Sequence, residues 1–306
     1  TKSIRSICQL SDGTLYITQD GGIIERSTDA GNTWSTQSTS ITTAINDIGF
    51  AGSTGYAVGY GGKILKTQNG GGSWVALSNS ETYTLDAVKV LDANRLLIVG
   101  AAGLLLASYD GGTTFSSSYP FVTNHENFGI VARPSGYYIV AGEYGQLEKS
   151  TNSVDWEHLT HGSLNSIFCS WFFNSSTGVV ADDHGGIRKT TDGGNTWTNK
   201  TPELYSSFRS LFFVNSNVGF AGGDMALYKT TDGGESWNKL LDYATTPAMM
   251  ASVYSIFFLD TSVGWIVTDD GKIYKTANGG SSWQSQSSGV TATLTHVFFT
   301  DPLHGW

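Results

Sequence analysis

The stretch Lys189-Thr190-Thr191-Asp192-Gly193-Gly194-Asn195-Thr196-Trp197 decides the fold, because close copies of it recur along the 306-residue chain. Residues 229–237 repeat it almost letter for letter. Looser copies occupy residues 27–34, 67–74, 108–115, 150–156 and 276–283. These copies predict a repeat protein in which one supersecondary unit recurs seven times.

Each copy predicts a tight turn. Its Asp or Asn can accept hydrogen bonds from backbone N–H groups further along, and the glycines that follow supply positive φ angles. The aromatic residue that ends the copy begins the next strand and can cover the turn with an apolar ring. The paired turn and aromatic residues are Asp29 and Trp34, Asn69 and Trp74, Asp110 and Phe115, Asn152 and Trp156, Asp192 and Trp197, Asp232 and Trp237, and Asn278 and Trp283.

The pattern Ser/Thr-x-Asp-x-Gly-x-Thr-Trp resembles the Asp-box, also called the BNR repeat. The fuller form, Lys-Thr-Thr-Asp-Gly-Gly-x-Ser/Thr-Trp with a Phe-Phe pair and then Gly-Phe or Gly-Trp after it, is most similar to the photosystem II stability/assembly factor-like (HCF-type) branch of Asp-box β-propellers. This resemblance covers all seven repeats and implies an assembly-factor or scaffold role, with the boxes as structural turns. Sialidases, xyloglucan hydrolases and sortilin-type receptors carry the same box.

The spacing of the repeats predicts the architecture. Successive turn positions are 40, 41, 42, 40, 40 and 46 residues apart, which is the length of a four-stranded propeller blade. We therefore expect an all-β β-propeller of four-stranded antiparallel blades, with almost no helix, as a single domain over residues 1–306. The repeats are approximately 1–40, 41–80, 81–122, 123–162, 163–203, 204–248 and 249–290. Residues 291–306 either close the ring or begin a further repeat, so seven blades are favoured and eight, with an incomplete last blade, are the alternative.

The amino-acid composition limits the classes of partner that the protein could bind. A formal net charge of −9 argues against nucleic acid, which is bound by neutralising phosphates, and favours a neutral or cationic protein or glycan. Because no apolar run approaches the ~20 residues of a membrane span, we expect no membrane insertion. Cys8 and Cys169 are predicted to be buried free thiols. We expect a monomer that is secreted, periplasmic or on the cell surface, with any secretion signal already removed.

The connections between the second and third strands lie on the face opposite the aspartate turns, and loops on a rigid scaffold carry function. Five successive repeats of a closed ring place a carboxylate there, which predicts an acidic crescent. The second residue of each innermost strand, Asn165 in repeat five, would lie beside this crescent. The candidate partner-binding residues are Asp20, Tyr60, Glu143, Tyr144, Asp183, His184, Asp224, Asp269 and Asp270 in the turns, with Arg5, Arg209 and Tyr254 on the innermost strands.

No catalytic residue, metal site or cofactor is predicted. Arg5 and Arg209 raise the possibility of a sialidase, which clamps a carboxylate with arginines. The chain has only six arginines and lacks the Phe/Tyr-Arg-Ile-Pro signature. None of the six histidines has the spacing typical of zinc ligands. The prediction is a non-enzymatic binding scaffold that recognises a protein. The alternatives are a secreted carbohydrate-binding lectin, with Tyr60, Tyr144 and Tyr243 as sugar platforms, and a glycoside hydrolase.

A column of cations precedes the turns by three residues. Its members are Arg26, Lys66, Lys149, Lys189, Lys229 and Lys275. We expect each of them to lie near the acidic side chain of a turn or at a strand edge.

Overall fold

The computed structural model describes residues 3–118, 127–133, 136–202, 207–242 and 251–306. Its strands form seven four-stranded antiparallel sheets, each built from four consecutive strands. Helix in the described residues is limited to three short 3-10 turns, Tyr60–Gly62, Ala101–Gly103 and Glu143–Gly145. The predicted all-β fold class, a seven-bladed β-propeller with almost no helix, is confirmed.

The chain divides into two compact units, Thr1–His158 and Leu159–Trp306, here called unit one and unit two. Unit one contains blades one to four. Blade one consists of β1 (Ile4–Gln9), β2 (Leu15–Gln19), β3 (Ile23–Ser27) and β4 (Ser35–Gln37). Blade two consists of β5 (Ile45–Ala51), β6 (Thr54–Gly59), β7 (Lys63–Thr67) and β8 (Val75–Leu77). Blade three consists of β9 (Leu85–Val90), β10 (Leu96–Gly100), β11 (Leu104–Ser108) and β12 (Ser116–Ser118). Blade four consists of β13 (Asn127–Arg133), β14 (Tyr137–Gly142), β15 (Leu147–Ser150) and β16 (Glu157–His158).

Unit two contains blades five to seven. Blade five consists of β17 (Ile167–Phe172), β18 (Gly178–Asp182), β19 (Ile187–Thr190) and β20 (Thr198–Asn199). Blade six consists of β21 (Phe208–Phe213), β22 (Gly219–Gly223), β23 (Ala226–Thr230) and β24 (Asn238–Asp242). Blade seven consists of β25 (Val253–Phe258), β26 (Gly264–Thr268), β27 (Ile273–Thr276) and β28 (Gln284–Gln286).

Neighbouring blades within each unit pack through apolar faces. Between blades one and two, Tyr16 stacks on Phe50 with ring centroids 4.6 Å apart. Between blades six and seven, Phe220 stacks on Phe258 at 4.0 Å. A near-continuous apolar sequence suits such strands, because both of their faces are buried against other sheets.

The last residues of the chain cover the far side of blade seven. Phe299 stacks on Trp265 with centroids 3.6 Å apart, the same kind of contact that joins consecutive blades. Phe299 also forms an isolated antiparallel bridge with Gly305, next to paired backbone hydrogen bonds between Phe298 and Trp306. Residues 291–306 therefore extend the apolar contacts of blade seven.

Each repeated aspartate turn joins the third strand of a blade to the fourth. In blade five the Asp192 carboxylate accepts hydrogen bonds from the Thr196 backbone N–H at 2.9 Å and from its hydroxyl at 2.6 Å. The Thr190 hydroxyl donates to Asp192 and accepts from the Gly194 N–H at 2.8 Å. Trp197 closes the turn by donating from Nε1 to the Gly194 carbonyl. The turn is therefore held by its own side chains.

The turns that have Asn in place of Asp keep the same pattern of local hydrogen bonds. Asn69 accepts from the Ser73 N–H at 3.0 Å, and its amide donates to the Ser73 hydroxyl at 3.1 Å. In the shortened turn of blade four, the Asn152 oxygen accepts from the backbone N–H groups of Val154 and Asp155. An amide oxygen can thus replace the carboxylate as the local acceptor.

The cation column joins neighbouring blades. The Lys66 ammonium donates to the Gly111 carbonyl, in the aspartate turn of the following blade, at 2.6 Å. Lys229 makes the same contact with Gly279 at 2.7 Å, and Lys189 pairs with Glu235 at 2.7 Å. The ammonium groups of Lys66 and Lys229 thus reach a backbone carbonyl of the next turn, whereas Lys189 reaches an acidic side chain there.

Both cysteines are free, as predicted. Burial raises the pKa of the Cys8 thiol to about 11 and that of the Cys169 thiol to about 12, so neither is a reactive thiolate near neutral pH. Among the described residues, no helix combines the length and the hydropathy that crossing a membrane would require.

Candidate binding surface opposite the aspartate turns

Every blade has two chemically different ends. The aspartate end carries the turns between the third and fourth strands. The opposite end carries the turns between the second and third strands and the links that lead to the next blade. Because strands alternate in direction, the predicted partner-binding residues lie at the opposite end.

A β-bulge positions the second residue of each innermost strand. In blade one the pairing register shifts between Ile4 and Ser6, so that Arg5 has no direct partner across the strand pair. The same shift occurs at the corresponding position of the other six blades. Bulges redirect a side chain and often lie next to functional sites. The bulge thus takes one residue of each innermost strand out of the regular pairing.

The register of blade five corrects the predicted innermost column. Ile167 pairs with Asp182, as Ile4 pairs with Gln19, so β17 begins three residues later than the sequence suggested. The bulge residue is therefore Phe168, and Asn165 lies in the preceding link. The sequence misled because Leu164-Asn165-Ser166-Ile167 has the same apolar and polar order as the true strand starts.

In unit one, Arg5 forms the centre of a small cluster. Its guanidinium pairs with Asp20 at 2.8 Å, and this hydrogen-bonded ion pair lowers the pKa of the Asp20 carboxyl. The same guanidinium lies over the ring of Tyr60, 5.7 Å from the centroid. The structure thus brings together three of the predicted residues, with Tyr60 44% exposed.

Unit two contains a second cluster of the same kind. Arg209 pairs with Asp224 at 3.2 Å and lies 4.9 Å from the centroid of Tyr254. The Arg209 guanidinium also lies 6.0 Å from the ring centroid of Phe168, a residue that was not among the predicted ones. A guanidinium held by one carboxylate and packed on aromatic faces keeps a fixed orientation.

The carboxylates of the predicted acidic crescent already have local partners. Asp183 accepts hydrogen bonds from the Ser166 N–H at 3.1 Å and from His184 Nδ1 at 2.7 Å. Asp269 accepts from the Ser252 N–H at 3.0 Å, and Asp270 pairs with Lys272 at 2.6 Å. These carboxylates are therefore partly neutralised or hydrogen-bonded by groups of their own blade ends. The acidic crescent remains a prediction.

Blade four contributes Glu143 and Tyr144. They form the 3-10 turn after β14, in which Tyr144 has φ 53° and ψ 37°. Among the residues that the structure describes, Tyr144 is the most exposed aromatic at the opposite end, at 63%. Tyr243 lies outside the described residues.

Exposed apolar side chains also concentrate at the opposite end, a feature that sequence reasoning missed. Of the eleven large apolar residues that are exposed in the described chain, seven lie there and four at the aspartate end. The seven are Ile4, Tyr60, Tyr83 and Tyr144 in unit one, and Leu164, Met225 and Val290 in unit two. Contact surfaces of protein partners combine such apolar groups with arginine.

The arginine geometry bears on the hydrolase alternatives. Arg5 and Arg209 each hold a carboxylate of their own blade, and each belongs to a cluster of its own with its own aromatic ring. Among the described residues, no group of three His, Cys, Asp or Glu side chains could hold a metal ion. The site therefore offers recognition groups that are already oriented.

Comparisons with known proteins agree with the fold. Among solved structures, "YCF48 bound to D1 peptide" is 17% identical, with a TM-score of 0.69 over 91% of this chain and 92% of that one. YCF48 from Cyanidioschyzon merolae is 18% identical, with a TM-score of 0.64 over 83% and 88%. A GH74 xyloglucanase from Xanthomonas campestris is 14% identical, with a TM-score of 0.68 over 92% of this chain but 54% of its own. At these identities the likeness shows the fold alone.

A search of curated proteins finds no match. A family model, described as photosynthesis system II assembly factor YCF48, matches residues 25–122 and 148–302. These ranges make up most of the 306 residues. The chain therefore belongs to the photosynthesis system II assembly factor YCF48 family.

Proposed function

We propose that this protein is a non-enzymatic assembly-factor scaffold that recognises a protein segment through the opposite end of its blades. The observation that carries the proposal is the pair of arginine clusters. In each, a bulge directs a guanidinium outward while a carboxylate and an aromatic ring fix its orientation. Such a group can hydrogen-bond a carboxylate or backbone carbonyls of a bound segment without being reorganised.

The family and one structural relative support a protein partner. The family is one of assembly factors, and the relative with a TM-score of 0.69 is titled as bound to a D1 peptide. The family match does not favour the lectin and glycoside hydrolase alternatives.

Finer features extend the proposal. The net charge of −9 suits a segment that carries basic groups in addition to the carboxylate that Arg209 binds. We further propose that the protein acts as a monomer in a secreted, periplasmic or cell-surface location. A mass measurement by light scattering tests the first, and fractionation of the native source tests the second.

The binding experiment uses short random peptides displayed on phage, selected on the wild-type chain. Peptides recovered this way should bind Arg209→Ala at least about tenfold more weakly, because removing a central interface arginine typically costs more than ~1 kcal/mol. The matched control is Arg95→Ala, since Arg95 also pairs with a carboxylate, Asp92, but lies in the turn after β9, at the aspartate end. Equal affinity for both variants and for the wild type would contradict the proposal.

A further inference from the structure

One backbone position at the opposite end recurs in a left-handed conformation. In blade two it is occupied by Gly61, with φ 68° and ψ 33°. Blade three has Ala102 there, with φ 60° and ψ 28°, and blade four has Tyr144, with φ 53° and ψ 37°. Non-glycine residues are disfavoured in this region because the Cβ atom crowds a carbonyl oxygen. Glycine can therefore occupy this turn position, as it does in blade two. Blades three and four instead have a residue with a side chain there, at a cost in stability.

Blade six reaches the same conformation by a shorter turn. Gly223 pairs directly with Ala226, which leaves only Asp224 and Met225 in the loop. Met225 takes the left-handed conformation, with φ 52°. A flexible apolar side chain is an unusual choice here, since Gly, Asn and Asp are the residues that tolerate positive φ.

The side chains at two of these positions are exposed. Tyr144 is 63% exposed and Met225 is 47% exposed. At Gly61, a Cβ atom would meet no other atom within 4 Å, so the space beside this turn is open. Because core contacts do not offset the backbone cost at Met225, the exposed side chain itself must be what is retained there. Unfavourable backbone conformations that persist in this way are concentrated at functional sites.

The surroundings of Met225 indicate what it contacts. Asp224, the residue before it, pairs with Arg209, and the Arg209 guanidinium lies over Tyr254. An exposed thioether therefore lies next in sequence to the carboxylate of the oriented arginine cluster. Methionine adapts to apolar groups of different shape because its side chain is unbranched and polarisable.

We infer that Met225 and Tyr144 are partner-contacting residues, and that Met225 receives an apolar side chain of a segment whose carboxylate is bound by Arg209. This inference rests on the proposed function and adds to it the chemistry of the recognised segment. Tyr144 supplies a second apolar contact, independently placed in unit one.

The test replaces each side chain by the residue that the backbone prefers. Phage-selected peptides are measured against Met225→Gly and Tyr144→Gly, with Ala102→Gly as the matched control. All three changes relieve the same backbone conformation, so Tm should be unchanged or higher in each. Affinity should fall at least about fivefold for the Met225 and Tyr144 variants, as expected when a contact side chain is truncated, and stay unchanged for Ala102→Gly.

Two outcomes overturn the inference: unchanged affinity in the Met225 and Tyr144 variants, or an equal loss in Ala102→Gly, which would assign the effect to backbone flexibility. If Met225→Gly lowers Tm, Met225→Leu and Met225→Asn decide. Met225→Leu keeps an apolar contact and should bind the peptide normally. Met225→Asn tolerates positive φ but lacks the apolar contact, so it should bind the peptide more weakly. Peptides that depend on Arg209 but not on Met225 or Tyr144 would remove this inference alone, and a library that yields no peptide would remove the proposed function with it.

Discussion

The two ends of the blades differ in how closely they repeat. At the aspartate end, Asp29, Asp110 and Asp192 each accept a hydrogen bond from the backbone N–H and another from the hydroxyl of the threonine four residues on. At the opposite end, equivalent turns contain Gly61, Ala102 or Tyr144 in one backbone conformation. The end that repeats pairs its carboxylates and hydroxyls within each turn, and the end that varies exposes side chains.

This difference separates stability from recognition. A turn whose carboxylate and hydroxyl groups are paired within the turn offers little to a partner, and its sequence must be kept to hold the strands. A turn that varies in side chain while keeping its backbone can change its partner without changing the fold. The comparison predicts that mutations at the aspartate end lower stability, whereas mutations at the opposite end lower the affinity for a partner.

The largest expected effect is that of Trp237→Ala at the aspartate end. Trp237 is 7% exposed and packs edge-on against Phe213 at 5.9 Å. Its loss leaves a cavity in the contact between blades five and six, and should lower the free energy of unfolding by about 3–5 kcal/mol in urea denaturation. Tyr60→Ala at the opposite end should cost less than about 1 kcal/mol. Similar costs at the two ends would break the comparison.

The next largest effect is expected for Thr230→Val, which keeps the shape of the side chain but removes its hydroxyl. Thr230 is fully buried, donates to Asp232 at 2.7 Å and accepts from the Gly234 N–H at 2.8 Å. The change leaves a buried N–H without its acceptor, so unfolding should require about 1–3 kcal/mol less. The control is Thr198→Val on the exposed strand β20, which should be neutral; a neutral Thr230→Val would show that the turn does not stabilise the blade.

Acid should act on the aspartate end. The hydroxyl of Thr196, followed by its backbone N–H, lowers the pKa of Asp192 to about 2, and Thr33 does the same for Asp29. Since the folded pKa lies below the unfolded value of about 3.9, this stabilisation is present above that value and is lost as pH falls towards about 2.

Asp192→Asn tests this by copying the natural arrangement of Asn69. The loss of Tm between about pH 4 and pH 2 should become smaller in the variant than in the wild type. An unchanged acid profile would mean that the Asp192 carboxylate does not contribute.

The smallest effect is expected near neutral pH at the opposite end. The hydrogen bond from His184 to Asp183 raises the pKa of this exposed imidazole. Because the folded pKa is raised, the stabilisation is present below the ordinary value of about 6.5 and is lost as pH rises through the folded pKa. His184→Gln should therefore lower Tm slightly at about pH 6 and leave it unchanged at about pH 9. A difference that persists at the higher pH would contradict the assignment.

Much of the fold could be predicted because its signals are local. In repeat six we predict strands at 208–214, 218–221, 226–230 and 236–240, and the structure has Phe208–Phe213, Gly219–Gly223, Ala226–Thr230 and Asn238–Asp242. The turn between the third and fourth strands anchors this register, since its hydrogen bonds span only a few residues. Blade five shows the limit: a polar link resembling a strand start shifted the predicted β17 by three residues.

The candidate site was predictable in its location but not in its contacts. Arg5, Tyr60 and Asp20 lie on three different strands or turns, and only the packing of blade two against blade one brings Tyr60 under the guanidinium. Met225 escaped notice because neither its backbone angle nor its exposure has a sequence signature.

The sequence by itself determined the period, the four-stranded repeat and the aspartate turns, because each depends on residues that are close along the chain and satisfy one another. The tertiary structure decided which arginines are paired, which residue occupies each bulge and which apolar side chains stay exposed. Those properties depend on distances between strands that are tens of residues apart in the sequence.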